Sequence, residues 1–393
     1  MTPLAVTAWT ATSAAGAGRD ELLIALRTRQ SGLRPNDFGP TPLATWIGRV
    51  AGVDECSLPA TLANWDCRNN RLAWLGLQAD GFLRRAVAAR DHYGADRVAL
   101  IVGTSTSSIG ATEEAYARLD DDGRFPADLR RPIVHTPHSL GDFLQHALGL
   151  TGYALTVATA CSSSAKVFAQ AARIIAAGIA DAVVVGGVDS LCGSVLFGFN
   201  ALELISPEKC RPFDPARRGI NIGEAAGFAL LEKDGDGPWL LGYGESSDAH
   251  HMSSPHPDGL GAQLAIDAAL ERAALPPSAV NYINLHGTAS QMNDEIEARV
   301  VARTFPQSTC ASSTKGWTGH TLGAAGILEA VITLLALEAG VLPGTLNSVA
   351  LDRACGPQIR LENVTAPVQV ALSHSFGFGG SNCVLAFGAR SAH

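Results

Sequence analysis

TVATACSSSAKVFAQAARIIAAGIADAVVVGG, residues 156–187, predicts a strand, a tight turn, a helix and a second strand. The segment 153–157 is short, apolar and β-branched, and apolar residues recur at helical spacing through 165–177. Residues 181–185 form a continuous apolar run, which is typical of a strand that is buried on both faces. This order of elements indicates an α/β protein.

Cys161 falls at the turn, at or just before the start of the predicted helix. Free backbone N–H groups and the positive end of the helix dipole favour a thiolate at such a position. The serines at 162–164 supply hydroxyls for the first turn. A lone cysteine is nevertheless more often inert packing, so a chemical role for Cys161 depends on partners elsewhere in the chain.

The composition predicts a large folded body. Of 393 residues, 47% are hydrophobic and only 17% are charged, which fits two domains or one large fused α/β unit and argues against disorder. The net charge of −8 argues against a general nucleic-acid binder, although an acidic partner is compatible with a local cluster of basic residues.

Eight scattered cysteines without a C-x-x-C pair indicate neither a zinc site nor a disulfide framework, so we expect a reducing, cytoplasmic setting. The N-terminal MTPLAVTAWT does not read as a signal peptide. The most apolar long window, 324–342, contains Glu329 and Glu338, so it predicts a buried helix and no membrane span.

The segment DGDGP at 234–238 is the clearest linker, and it divides the chain into 1–236 and 237–393. Cys161 precedes a long Ala-rich helix in the first part, and His320 precedes a similar helix in the second. We therefore hypothesise two similar α/β halves whose reactive residues converge on one site.

Three segments carry the chemical signal: TACSSS with Cys161, NLHGTAS with His286, and STKGWTGHTLGAAG with Lys315 and His320. Each histidine alone is more often structural. Together with a cysteine at a helix start they form a Cys/His/His constellation suited to nucleophilic catalysis. Metal binding is the competing use, but the absence of a carboxylate at ligand spacing makes a poor zinc site.

With RPFDPARRGINIGEAAG at 211–227 and SFGFGGSN at 375–382, these motifs make the chain resemble the elongating β-ketoacyl-acyl-carrier-protein synthases of the thiolase superfamily over nearly its whole length. The resemblance implies a five-layer αβαβα fold with two pseudo-symmetric halves. It also implies no cofactor, and a homodimer or a heterodimer with a related ketosynthase subunit. Within this family, the chain resembles a ketosynthase subgroup that is associated with aryl polyene pathways. Three segments carry this resemblance: RNNRL, GTSTSSIG and SSDAHHMSSPHPDG.

The resemblance implies an acyltransferase that condenses an acyl group with malonyl-carrier protein to give a 3-oxoacyl-carrier protein. Cys161 matches the nucleophile that takes the acyl chain as a thioester. His286 and His320 match the pair that binds the malonyl thioester carbonyl and assists decarboxylation. Lys315 matches the lysine of the family motif, which supports the site electrostatically. Glu297, with Asp294, matches the acidic pair of the family that lies behind the histidines.

Substrate contacts follow from the same resemblance. Phe378 matches a gate residue whose N–H, with that of Cys161, forms an oxyanion hole. The further substrate-binding residues implied are Phe376 and Gly379 of the same motif, Thr288 and Ser290 for pantetheine, and Thr106 beside the acyl tail. Ser290, Gln291 and Ala225 stand where the family usually has Thr, Pro and Gly.

Arg68 and Arg71 are one helical turn apart, and they predict a contact with an acidic acyl carrier protein. This prediction is motivated by two positive charges on one helix face of an otherwise acidic chain.

Three other functions compete. A non-catalytic chain-length factor typically lacks the nucleophilic cysteine, which is present here. A thiolase would use a second catalytic cysteine near the C-terminus, where Cys383 lies. A Cys/His hydrolase has no use for a second histidine with its lysine.

Overall fold

The computed structural model describes residues 1–389. Its strands are β1 (Leu4–Ser13), β2 (Gly16–Ala17), β3 (Arg34–Pro35), β4 (Trp46–Gly48), β5 (Val98–Gly103), β6 (Ala154–Val157), β7 (Ala182–Asp189), β8 (Ile222–Gly223), β9 (Ala225–Glu232), β10 (Trp239–Ser247), β11 (Tyr282–Asn284), β12 (Cys310–Ser312), β13 (Val341–Leu342), β14 (Val364–Thr365), β15 (Val370–Gly377) and β16 (Ser381–Gly388). Its α-helices are α1 (Arg19–Thr28), α2 (Arg68–Gln78), α3 (Phe82–Tyr93), α4 (Ile109–Ala117), α5 (Ser139–Leu148), α6 (Ser163–Ala176), α7 (Gly193–Ala201), α8 (Leu260–Ala273), α9 (Gln291–Thr304), α10 (Lys315–Thr318) and α11 (Ala325–Ala339).

One long sheet runs in the order β12-β11-β15-β16-β10-β1-β9-β7-β5-β6. Each half of it has the same arrangement: within its own half, the strands follow the order third, second, fourth, fifth, first. In both halves the first three strands of this order run parallel to one another, and the two remaining neighbouring pairs are antiparallel. The halves meet where β1 pairs with β10. This antiparallel pairing is short, and it joins Leu4 with Leu240 and Ala5 with Trp239.

Helices alternate with these half-sheets. α6 and α11 lie between the two half-sheets and contact strands of both. α2, α3 and α5 cover the outer face of the N-terminal half-sheet, and α8 and α9 cover the outer face of the C-terminal one. The five layers and the repeated strand order confirm the predicted thiolase-like α/β fold with two pseudo-symmetric halves.

The stretch from which the sequence analysis started folds as predicted, as β6, the Cys161 turn, α6 and β7. Burial explains its sequence, because every residue of β7 is buried between helices on both sides. The linker at 234–238 joins β9 to β10. The boundary at 236/237 stays a prediction as a domain division, since the half-sheets are hydrogen-bonded into one sheet.

One helical segment within residues 1–389, Leu322–Ala339, is long and apolar enough to cross a membrane, and 89% of it is buried inside the protein. Its Glu329 forms an ion pair with the buried Lys315. This is the setting of a core helix in the middle layer, as the sequence analysis expected.

Candidate active site

Cys161 sits in a sharp turn between β6 and α6. The turn needs a left-handed residue, and Ala160 adopts it with φ of 52°. The thiol is 5% exposed. Burial raises the pKa of Cys161 to about 12, against the opposing effects of the Lys315 charge and the Phe378 N–H. Burial therefore favours the neutral thiol in the resting site, contrary to the expected preference for a thiolate.

His320 lies 2.9 Å from that thiol, measured from its Nε2 to Cys161 Sγ. Its backbone is fixed on both sides, because its N–H donates to Asn221 O at 2.7 Å and its carbonyl accepts from Gly223 N at 3.0 Å. Burial, helped by the Lys315 charge, lowers the pKa of His320 well below its usual value. A neutral imidazole therefore faces the thiol and can accept its proton.

His286 follows β11, and its ring meets that of His320 edge to face with the centroids 5.4 Å apart. Glu297 accepts hydrogen bonds from the N–H groups of His286 (2.9 Å) and Gly287 (2.8 Å). Lys315 Nζ donates to the His286 carbonyl at 2.5 Å. Burial lowers the pKa of His286 well below its usual value. The two imidazoles are thus neutral, and hydrogen bonds to the backbone groups of both histidine segments fix their positions.

Lys315 is buried and also pairs with Glu329 of α11. Burial raises the pKa of Glu329 to about 7, opposed by the neighbouring ammonium. The sequence analysis noted Glu329 only as an argument against a membrane span. Of the two carboxylates of α11, Glu329 is buried. A carboxylate in a helix that is predicted to be buried needs a partner, and that signal could have assigned it to the site.

Asp294, the other member of the predicted acidic pair, is buried. Its carboxylate accepts from the N–H groups of Phe213 and Ala289, so it fastens the 211–214 turn to the His286 loop. Burial raises the pKa of Asp294 to about 6. The carboxylate directly behind His286 is that of Glu297, and it has a third donor, His374, which the sequence analysis missed.

A cavity of about 500 Å³ opens on Cys161, His286 and His320. It is also lined by the predicted substrate-binding residues Thr288, Ser290, Phe376, Phe378 and Gly379. The Thr288 and Ser290 hydroxyls are 2.9 Å apart. The Phe378 ring stacks on Phe199 of α7 with centroids 5.7 Å apart, a contact that the sequence analysis did not foresee. Phe199 and Phe378 thus place an aromatic pair in the lining of the cavity that opens on the thiol.

Thr106 does not line this cavity. Its N–H and hydroxyl both bind Asp189 Oδ1, at 2.9 and 2.6 Å. Thr106 is thus bound to a buried carboxylate, and its approach to the acyl tail stays a prediction.

The premise for Arg68 and Arg71 is also corrected, because both charges are already paired. Arg68 makes two hydrogen bonds to the fully buried Glu224 and a further ion pair with Asp54. Arg71 makes two hydrogen bonds to Asp66. They are one turn apart on α2 as expected, but they do not form a free basic pair.

Within the described residues, no group of three or more His, Cys, Asp or Glu side chains is arranged to hold a metal ion. Cys383, the candidate second cysteine of a thiolase, is fully buried in β16 and lies outside the cavity lining. Burial raises the pKa of its thiol.

A thiolase-like fold with a cysteine and two neutral histidines around one cavity defines an acyl-transferring condensing enzyme. The chain belongs to the β-ketoacyl synthase family: residues 70–236 match its N-terminal domain and residues 239–349 its C-terminal domain.

Named relatives agree with this class. The chain is 34% identical to nodulation protein E of Rhizobium meliloti (strain 1021) over 78% of this chain and 79% of that protein. It is 31% identical to 3-oxoacyl-[acyl-carrier-protein] synthase 2 of Staphylococcus aureus over 75% of this chain and 77% of the relative. The ketosynthase ApeO of Xenorhabdus doucetiae, solved in complex with its chain length factor ApeC, superposes with a TM-score of 0.91 at 34% identity, covering 99% of this chain and 98% of ApeO. The condensing function is confirmed, and the chain-length-factor alternative is not favoured.

Proposed function

We propose that Cys161, His286 and His320 carry a 3-oxoacyl-acyl-carrier-protein synthase reaction on carrier-bound substrates. The observation that carries this proposal is the 2.9 Å contact between His320 Nε2 and Cys161 Sγ inside a cavity that His286 shares. A non-catalytic subunit has no need to keep a buried thiol against a neutral imidazole.

The first half-reaction is acyl transfer. His320 accepts the Cys161 proton while the sulfur attacks the acyl thioester carbonyl, and the N–H groups of Cys161 and Phe378 stabilise the oxyanion. The carbon–sulfur bond to the carrier breaks, and the leaving carrier thiolate takes the proton that His320 accepted from Cys161. This places the acyl chain on Cys161 as a thioester.

The second half-reaction is decarboxylative condensation. The malonyl carbon–carboxylate bond breaks, CO2 departs, and the electron pair forms an enolate whose oxygen accepts hydrogen bonds from the His286 and His320 imidazoles. A neutral imidazole donates from the ring nitrogen that carries its hydrogen, so His320, whose Nε2 accepts the proton in the first half-reaction, acts here as the tautomer with hydrogen on Nε2. Burial keeps both imidazoles neutral by lowering their pKa. The enolate carbon then attacks the acyl-Cys161 carbonyl, and the carbon–sulfur bond breaks to release the 3-oxoacyl product. The Cys161 thiolate that is expelled takes up one proton from solvent and returns to the neutral thiol.

Separating the two half-reactions tests these roles. We expect Cys161→Ala to abolish condensation and to leave malonyl decarboxylation measurable, because the histidines act on malonate without the thiol. His286→Ala and His320→Ala should each lower decarboxylation by about 10²–10³, the usual effect of removing one oxyanion donor. The assays are CO2 release and mass spectrometry of the Cys161 peptide. Parental decarboxylation in either histidine variant would remove that histidine from the mechanism.

Arg68 and Arg71 stay a predicted carrier contact, but both are paired and neither lines the cavity. Arg218 lines the cavity, and its side chain is 61% exposed, so it lies where the cavity meets solvent. Its ion pair with the exposed Glu208, at 3.5 Å, is of a kind that contributes little. We assign to Arg218 the contact with an acidic carrier protein.

Arg218→Glu is expected to raise KM for acyl-carrier protein about tenfold and to weaken its salt dependence. Acylation of Cys161 by a small thioester mimic should not change, because the mimic has no acidic surface. Arg84→Glu on the exposed face of α3 makes the same charge change away from the cavity and is the matched control. Equal losses with the carrier and the mimic would refute the contact.

Assembly as a dimer is the second part of the proposal. β6 is the outer edge of the N-terminal half-sheet, and its four residues are half-buried. The opposite edge differs, because Ala311 of β12 is bridged by Ile359. An open apolar edge favours strand pairing. The ApeO relative, solved with a chain length factor, supports a heterodimer with a related subunit, and a homodimer is the alternative arrangement.

The pathway and the location belong to the same proposal. The motifs RNNRL, GTSTSSIG and SSDAHHMSSPHPDG support an aryl polyene pathway, with fatty acid synthesis as the alternative. Mass spectrometry of acyl-Cys161 after incubation with saturated and polyene acyl-carrier proteins decides between them. The eight free cysteines fit a cytoplasmic enzyme.

A further inference from the structure

His374 is a fully buried histidine that the mechanism above does not use. It lies on β15. Its side chain is on the same face of the strand as that of Phe376, because side chains two residues apart in a strand point in the same direction. The His374 ring packs against the Phe376 ring with centroids 5.3 Å apart, and the Phe376 ring is 5.9 Å from that of His286. The three rings thus form a row from the strand interior to the active site.

The polar contact of His374 is with the carboxylate behind His286. His374 Nδ1 lies 3.1 Å from Glu297 Oε1, so Nδ1 carries the hydrogen and donates it. The same oxygen accepts the His286 N–H, and the second oxygen accepts the Gly287 N–H. One carboxylate therefore collects a side-chain donor from β15 and two backbone donors from the catalytic turn.

That turn depends on the carboxylate for its shape. Gly287 has a positive φ of 28°, and a Cβ there would lie 2.5 Å from Ser313 Cβ. Glu297 reaches the turn from α9 and fixes both amides, while Lys315 fixes the His286 carbonyl. A rotation of the Glu297 carboxylate would release both amides at once and shift His286 with them.

We propose that His374 is a positioning residue for decarboxylation: its Nδ1–H locks the Glu297 carboxylate, and the carboxylate in turn sets the His286 ring against the malonyl thioester. The inference rests on the proposed role of His286. It assigns no contact between His374 and substrate.

Simple core filling does not account for a histidine here. Its Nε2 is buried and makes no hydrogen bond within residues 1–389. Burying an unpaired ring nitrogen is costly, and a leucine of similar size would avoid that cost. What a leucine cannot supply is the Nδ1–H donor.

Three substitutions separate the donor from the bulk. His374→Asn keeps an amide N–H close to the position of Nδ1. His374→Gln carries its amide further out, near the position of Nε2. His374→Leu fills the space without a donor. We expect Asn to retain decarboxylation, and Gln and Leu to lose it by about 10- to 100-fold, since a displacement of about 1 Å can cost 10²-fold in rate.

Each purified variant is assayed for CO2 release from malonyl-carrier protein and, separately, for acylation of Cys161 by mass spectrometry. Acylation should stay near the parental rate in all three, because Cys161 and His320 are held by other elements. Loss of decarboxylation with acylation kept, and recovery in Asn alone, supports the inference.

Two results would overturn it: equal losses of both half-reactions, which indicate general packing, or an Asn variant as impaired as Gln. If the Leu variant does not fold, the comparison of Asn with Gln still decides. Absence of decarboxylation in the parental enzyme would instead overturn the proposed function, and the inference with it.

Discussion

At the scale of single residues, burial determines which protonation state each catalytic group holds. The same desolvation that raises the pKa of the Cys161 thiol to about 12 lowers the pKa of both histidines. Burial disfavours the charged form of either kind of group. The resting site is therefore a neutral thiol beside neutral imidazoles, and a thiolate arises only when His320 takes the proton.

This state predicts how Cys161 reacts with iodoacetamide as the pH changes. Because the thiol pKa is raised, the thiolate fraction is small at neutral pH and grows as pH rises. The alkylation rate should increase about tenfold per pH unit from pH 7 to 9 without a plateau. The measurement follows the mass of the Cys161 peptide, with the partly exposed Cys310 peptide as an internal control. A plateau below pH 8 would mean that the helix N-terminus dominates after all.

The residues of the active site differ in whether a short sequence motif identifies them. Cys161, His286, His320 and Lys315 stand in short motifs, and the sequence identified all four. Glu329 and His374 gain their roles from contacts across the fold, the latter with a residue 77 positions away. The carboxylate of Glu329 in a predicted buried helix signals that it needs a partner. A single sequence contains no signal for the contact of His374 with Glu297, so only the structure could assign that pair.

At the scale of elements, the loop after β5 shows what periodicity could not predict. Asp189 at the end of β7 is fully buried and accepts hydrogen bonds from Thr104, Ser105 and Thr106. Ser105 Oγ in turn accepts from Gly323 N at 3.2 Å, three residues after His320. The loop is thus a brace between β7 and the turn that carries His320.

We therefore expect Thr106→Phe to reduce acylation for every chain length, because it breaks the Asp189 contact and overpacks the brace. Asp189→Asn should act in the same direction, because an amide cannot accept as many donors as a carboxylate. The measurement is the ratio of acylation rates for short and long acyl-carrier proteins, with Tyr116→Phe on α4 as a mild control. A selective loss of long chains in Thr106→Phe would support the original prediction that Thr106 lines the acyl pocket.

Helices with a clear apolar stripe were predicted, and others were missed for a physical reason. α6 has such a pattern over the predicted range 165–177, and the structure places it at Ser163–Ala176. α7, with the sequence GSVLFGFNA, is apolar all round and contains two glycines, so it shows no helical stripe. It carries Phe199, and the aromatic pair at the cavity was therefore invisible in the sequence.

At the scale of the whole molecule, the repeated strand order explains how distant residues meet. In each half the third strand leads to a reactive residue, Cys161 after β6 and His320 after β12, and then to a middle-layer helix. α6 and α11 pack side by side between the half-sheets, so the segments that precede them converge. The sequence hinted at this repeat through two Ala-rich helices, but strand order depends on long-range pairing that a single sequence does not encode visibly.

The same topology leaves β6 as the edge on which the dimer proposal depends, and it allows a sharp test. Leu100 N–H donates to Tyr153 O and Thr104 N–H donates to Val157 O, so these residues of the β6 segment face β5. Backbone groups alternate in direction along a strand, which turns those of Ala154 and Thr156 toward the outer edge. Proline at an outward position removes a donor from the edge without removing one from the sheet.

Thr156→Pro should therefore prevent dimer formation by the chain alone or with a coexpressed related subunit, while the single chain keeps its circular dichroism. Thr156→Val is the control, since it loses only the hydroxyl that contacts His138 Nδ1 at 2.6 Å and keeps the backbone donor. Light scattering after size exclusion measures the mass of each species. A proline variant that still dimerises would move the interface away from β6. A parental chain that is monomeric with every partner, yet condenses at full rate, would refute the dimer itself.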